Sequence, residues 1–212
     1  MPDTDEGKKI MSLQNTTYGL SDIYNDIIEF INSIQDPSNF DYEIEFEKAL
    51  KTKIETKYRV HAEVKNIPFF DGTEEKVSWR TDLVIKYNEQ YFPIELKYRD
   101  EDQNASGYGY AYIKDIDKIK YMLLNYDDIP FGLAICLTNN ESLIRTCNAL
   151  QLNSNISDNT YLDPWRSLQI EWHKHEHSDY SFGIAGWRWA GKKPFESRKY
   201  FKEFWDKKTE SK

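Results

Sequence analysis

Asp82, Glu95 and Lys97 are of the types that hold hard cations and manage phosphate charge, and their spacing brings them together. Two alternating runs, Thr81 to Tyr87 and Tyr91 to Tyr98, flank a short turn at Asn88 and Glu89, which predicts a β-hairpin. With Asn88 and Glu89 as the loop, Asp82 pairs across the hairpin with Glu95, their Cβ atoms roughly 5 Å apart. Lys97 follows Glu95 by two residues, so strand alternation puts it on the same face. Leu83, Ile85, Ile94 and Leu96 take the opposite face and supply core. Two like charges held together on a half-apolar sheet are costly unless a cation joins them. Magnesium is the natural guest of such an oxygen-only site. Charged residues on a solvated antiparallel hairpin are also common, but Val84-Ile85 and Pro93-Ile94 make these surroundings apolar for a plain exposed face.

The elements that must position these groups are legible from periodicity. Residues 1–18 are polar and aperiodic and are expected to be loose; 19–212 are read as one domain, a length sufficient for a full core. Ser21 is placed to cap a helix with the stripe Ile23, Ile27, Ile28, Phe30 and Ile31, ending near Asp36-Pro37. A second helix runs from Tyr42 to Lys57, and a strand from Arg59 to Lys65 precedes the hairpin. A polar loop from Asp100 to Gly109 leads to a helix over Tyr112–Leu124. Phe131 to Thr138 is a continuous apolar run, the mark of a strand covered on both faces, and Asn140 caps the helix after it. A polar loop to Asp163-Pro164, strands near Ser167–His173 and Tyr180–Trp187, and a helix over Glu196–Trp205 complete the chain. The order α, α, β, β, β, α, β, α, β, β, α predicts an α/β (α+β) fold, a mixed sheet flanked by helices.

Composition narrows the class. Charged residues make up 30% of the 212 and hydrophobic ones 39%, with no apolar run of membrane-spanning length, so no membrane is expected as partner. Cys136 and Cys147 read as buried free thiols, which places the chain in a reducing, cytoplasmic setting. A net charge of −8 argues against a general nucleic-acid coat protein, but not against a carboxylate-rich site neutralised by its own metal.

With the order α-β-β-β-α-β in place, the segment 42–138 resembles the core of the PD-(D/E)xK nuclease superfamily, the restriction-endonuclease-like fold. That family joins an acid on the first core helix to an Asp on the second strand and a Glu-x-Lys on the third. Asp82 matches the strand acid and Glu95-Leu96-Lys97 the tripeptide, while Thr81 stands where the family name has Pro. Glu47 shares its helix edge with Leu50 and Ile54 and is the better-placed helix acid; Glu43, one turn earlier, is its competitor, and Glu45 should point away. The resemblance implies a metal-dependent nuclease acting on nucleic acid, DNA as the expected substrate, in restriction, defence or repair. It implies that Asp82, Glu95 and the carbonyl of Leu96 hold magnesium or manganese, that Glu47 joins through water or a second ion, and that Lys97 orients water or meets the developing charge. It also implies one more polar group from the helix after the tripeptide, for which Lys114, Asp117 and Lys118 are candidates. The alternative is a nuclease-fold module without activity that binds nucleic acid or protein.

Three further clusters have two readings each. Tyr108, Tyr110 and Tyr112 either stack on a base or, as core packing favours, plug the sheet edge. His173, His175 and His177 alternate as zinc ligands on a strand would, but no spacing fixes a fourth ligand, so a solvated strand end is the plainer reading. Trp165, Trp172, Trp187, Trp189, Phe201, Phe204 and Trp205 make an aromatic C-terminal part. They are read as a second small core, or as the surface for a homodimer or protein partner. Arg188, Lys192, Lys193, Arg198, Lys199 and Lys202 gather in the same part and could meet phosphate.

Overall fold

A computed structural model of the chain describes residues 21–68, 78–99, 105–153, 162–164, 170–189 and 201. The first helix, α1, is helical over 21–33, and Ser21, expected as its cap, is itself helical. A 3-10 turn (Pro37–Asn39) capped by Asp36 separates it from α2 (Glu43–Ile54). Then come β1 (Arg59–Pro68), β2 (Ser78–Tyr87), β3 (Gln90–Arg99), α3 (Ala105–Asn125), β4 (Phe131–Thr138), α4 (Glu141–Asn153), β5 (Leu162–Pro164), β6 (Glu171–Lys174) and β7 (Ser181–Trp189).

Seven described strands form one mixed sheet in the order β1-β2-β3-β4-β7, with β5 and β6 both pairing along β7. The β2–β3 turn has Asn88 and Glu89 both at positive φ (49° and 58°), the geometry of a two-residue hairpin loop that follows the sheet twist. β3 pairs with β4 in parallel, and α3 is the crossover such pairing demands. Every residue of β4 is buried, because the sheet is covered on both faces. On one face, α1 and α2 pack Ile27, Ile31, Phe46 and Leu50 against Leu83, Ile85, Ile94 and Leu96. On the other, α3 packs Ile116, Ile119 and Leu123 near Val84, Ala134 and Cys136. α3 lies so close to β4 that a Cβ on Gly132 would stand 2.7 Å from Ile119 Cγ2.

Four further local expectations are corrected. α3 begins at Ala105 rather than Tyr112, so part of the glycine-containing stretch read as loop is helical. The glycine has a packing reason: a Cβ on Gly109 would meet Thr146 Cγ2 of α4 at 2.8 Å. The strand expected from Ser167 starts at Glu171, and Leu162–Pro164, read as loop, is the short strand β5. α2 ends at Ile54, short of Lys57. The N-terminal segment 1–18 lies outside the described residues, as do Trp165, Phe204, Trp205, Lys192, Lys193, Arg198, Lys199, Lys202 and the side chains of Trp187, Arg188 and Trp189. Phe201 is helical and joins the main core, its ring 5.3 Å from that of Tyr91 and 5.5 Å from that of Tyr126. Among the described residues no helix is long and apolar enough to cross a membrane.

Candidate functional site

The sheet opens where the acids lie. Backbone pairing between β2 and β3 runs from Tyr87↔Gln90 to Leu83↔Ile94 and stops there, one step before Asp82 and Glu95 would meet. Strict alternation also fails at this point. Val84 packs under α3, yet Thr81 also faces α3, its hydroxyl 3.7 Å from Met122 Sδ. Across β1, Glu63 sits between the paired residues Ala62↔Leu83 and Val64↔Thr81 and has a positive φ of 48°, a strained geometry for a residue with a Cβ. Beside it, the Asp82 carboxylate reaches into the seam between β2 and β3.

Asp82 there replaces the missing ladder. Its Oδ2 accepts the backbone N–H of Leu96 at 2.8 Å. The next N–H on that edge of β3, from Tyr98, is donated to Glu43 Oε2 at 3.4 Å. Two backbone donors that a complete strand pair would satisfy are therefore taken by carboxylates. The first turn of α2 brings Glu43 to this edge, while Glu45 turns back to accept the N–H of Asp41 at 2.7 Å, in the manner of a capping box.

Glu95 is 1% exposed and points toward α3. Its Oε2 lies 2.5 Å from Lys118 Nζ, and its Oε1 is buried without a hydrogen-bond partner. Lys97 does not pair with Glu95, the plain structural role open to it. Its ammonium instead contacts Asp115 Oδ2 (3.1 Å) and Glu43 Oε1 (3.3 Å) and donates to the Leu96 carbonyl (3.2 Å). Lys118 also donates to the Arg80 carbonyl at 2.7 Å and lies 3.4 Å from Asp115 Oδ1. Arg80 in turn contacts Glu63 at 3.1 Å.

The electrostatics follow from crowding. Burial, then the charges of Asp82 and Glu63, push the Glu47 carboxyl up to about 7. Burial also raises Glu43, against the pull of Lys97. Glu95 is raised well above the usual carboxylate range, first by burial and next by Asp82, with Lys118 opposing. Burial works against the charge on Lys97, but Asp115, Glu43 and Asp82 outweigh it and hold the ammonium protonated.

Glu43, Glu47, Asp82, Glu95 and Lys97 are thus brought into one electrostatic cluster, with Leu96 presenting its N–H to Asp82 and its carbonyl to Lys97. Glu43 makes the direct contacts with β3, and Glu47, 3% exposed, sits deeper toward Asp82. Of the α3 candidates, Lys118 is in the cluster. Lys114 lies outside it over the ring of Tyr110, and the first charge acting on Asp117 is Lys120. Sequence reasoning missed Asp115, Glu63 and Arg80. The i,i+3 spacing of Asp115 and Lys118 was the one available signal, since it puts both on one side of α3.

Whether the cluster suits a hard cation can be tested on its oxygens. Among the described residues, no three Asp, Glu, His or Cys side chains are gathered closely enough to hold an ion as they stand, and ammonium groups already contact Asp115 and Glu95. Even so, Glu95 Oε1 is orphaned and buried, and Asp82 Oδ1 lies 4.0 Å from the Arg80 guanidinium. Two hard oxygen donors with unspent capacity, beside a backbone carbonyl, are a donor set that fits magnesium or manganese.

The other clusters have structural duties. Tyr112 is buried and donates to the carbonyl of Ala134 (2.9 Å) or Gly183 (3.1 Å), Tyr108 stacks on Arg99, and Tyr110 is exposed. The three histidines do not converge. His175 is buried with Nε2 3.1 Å from the Ile31 carbonyl and Nδ1 2.9 Å from Ser178 Oγ, while His173 stacks on Phe182. A groove of about 620 Å³ beside His173, lined also by Tyr24, Asn32 and Phe182, contains none of the clustered acids. Cys136 and Cys147 are buried free thiols.

No protein-family model matches the chain, and no curated protein or solved structure does.

Proposed function

We propose that this chain is a metal-dependent nuclease of the PD-(D/E)xK type that hydrolyses phosphodiester bonds, DNA being the expected substrate. One observation carries the reading. Asp82, Glu95 and Lys97 meet at the place where β2 and β3 separate, with Glu43 and Glu47 delivered to the same place by α2. Helix acids, a strand acid and a Glu-x-Lys gathered at one opening in a mixed sheet are what phosphodiester hydrolysis by this route requires.

Asp82, Glu95 and the Leu96 carbonyl are the groups that would hold magnesium or manganese. Such an ion supplies a polarised phosphoryl oxygen and a water acidic enough to attack at neutral pH. The chain's own residues do the rest. Lys97, held protonated beside the Leu96 carbonyl, puts a fixed positive charge where the pentacovalent phosphate gains negative charge. Glu47, poised near neutrality, can hold a proton at its carboxylate or release it within the working range. Burial of the acids excludes bulk water, so these charges act with little screening.

The test is incubation of purified protein with plasmid and linear DNA, first with magnesium and then with manganese. Cleavage that needs the metal and disappears in Lys97→Ala supports the reading. Cleavage at the wild-type rate in Lys97→Ala rejects the mechanism. DNA binding with no cleavage under either metal would make the chain a nuclease fold without activity.

A further inference from the structure

Lys118 reaches the buried acid Glu95 from α3. Its three donors are spoken for: Glu95 Oε2 at 2.5 Å, the Arg80 carbonyl at 2.7 Å and Asp115 Oδ1 at 3.4 Å. These partners sit on β3, on β2 and on α3 itself, so the ammonium bridges the two strands where their ladder has ended. Asp115 also contacts Lys97 through its other oxygen, at 3.1 Å, which sets the spacing of the two lysines.

The consequence for Glu95 is asymmetry. One oxygen is held at hydrogen-bond distance, and the other, buried, has no hydrogen-bond partner. An orphaned oxygen on a carboxylate that is 1% exposed is destabilising, and its persistence calls for a reason beyond the fold. We propose that Lys118 is a positioning residue: it fixes Glu95 by Oε2 and so leaves Oε1 available to a divalent cation that Glu95 and Asp82 would hold. The inference rests on the metal-dependent reading above and gives Lys118, one of the three α3 candidates, a defined task at Glu95. The converse role, an internal counter-ion that competes with the metal for Glu95, makes the opposite prediction.

The experiment measures manganese binding to metal-free protein without DNA, by calorimetry and by the spin-resonance signal of the bound ion. The proteins are wild type, Lys118→Met, Lys118→Arg, Asp115→Asn and Glu95→Gln. Removal of a partner that orients a metal ligand weakens affinity by roughly 10- to 100-fold; that loss is expected for Lys118→Met, with a changed resonance line shape. Lys118→Arg, which can still donate to Glu95, should recover part of it. Asp115→Asn loosens only one of the three ties and should lose less. It also keeps the question answerable should Lys118→Met fail to fold. Lys118→Met or Asp115→Asn binding manganese as tightly as wild type, or more tightly, overturns the proposal. Wild type that binds no manganese, or binds it no better than Glu95→Gln, overturns the metal-dependent reading and the proposal with it.

Discussion

The carboxylate of Asp82 accepts the backbone N–H of Leu96 at 2.8 Å, so a side chain of β2 stands in for the ladder that β2 and β3 have abandoned. Catalytic charge and backbone satisfaction are joined in one residue. Asp82→Asn keeps an oxygen for Leu96 while removing a charge that raises Glu43, Glu47 and Glu95. It should therefore lose cleavage and manganese binding yet raise the metal-free Tm, by about 2–4 °C for each 1 kcal/mol relieved. Asp82→Ala leaves the Leu96 N–H buried without an acceptor and should cost about 1–3 kcal/mol of that gain. Thermal denaturation of the two variants side by side checks the ordering.

Lys97 has the opposite sign. Its removal takes the ammonium away from Glu43 and leaves Asp115 only Lys118, and breaking a largely buried ion pair costs about 3–5 kcal/mol. Lys97→Ala should unfold at lower denaturant than wild type and cut at least about 100-fold more slowly, the order associated with a lost charge-stabilising group. Denaturant melts and single-turnover cleavage read the two effects separately.

The raised acids fix the pH dependence of the metal-free protein. Burial first, then Asp82 and Glu63, bring Glu47 to about 7, and Glu43 and Glu95 are raised as well. Between the ordinary carboxyl range and about 7 the folded chain keeps a proton on Glu47 that the unfolded chain has released. Unfolding therefore releases a proton, and stability falls as pH rises through this window. For Glu47 alone the loss is roughly 3 kcal/mol. The metal-free Tm should drop from about pH 5 to about pH 8, the drop should shrink in Glu47→Gln, and saturating manganese should oppose it. An equal slope in Glu47→Gln would show that other groups carry the effect.

Packing of α3 governs where Lys118 and Asp115 stand. A Cβ on Gly132 would meet Ile119 Cγ2 at 2.7 Å and Leu123 Cδ1 at 3.2 Å, so Gly132→Ala presses α3 away from β4. Overpacking of this kind costs about 1–3 kcal/mol. Ile119 follows Lys118 directly, so manganese affinity should fall with stability. Adding Ile119→Ala removes the clashing methyl, and the double variant should be less destabilised than the two single changes summed, as a double-mutant cycle will measure.

What the sequence determined by itself was local. Alternation and the turn at Asn88 and Glu89 placed the hairpin, apolar continuity marked β4, and Asn140 announced α4. The acid, acid and lysine were legible because strand periodicity and hairpin register are short-range and repeat every two residues. The start of α3 was not, since Gly107 and Gly109 disfavour helix and only contact with α4 explains Gly109. Tertiary structure alone decided that Lys97 belongs to Glu43 and Asp115, that Lys118 holds Glu95, and that Glu63 takes a positive φ in β1. Those contacts join residues from separate elements, Glu43 and Lys97 being 54 positions apart in sequence. No periodicity reaches across that distance, because such pairs meet only after the sheet and its helices have packed.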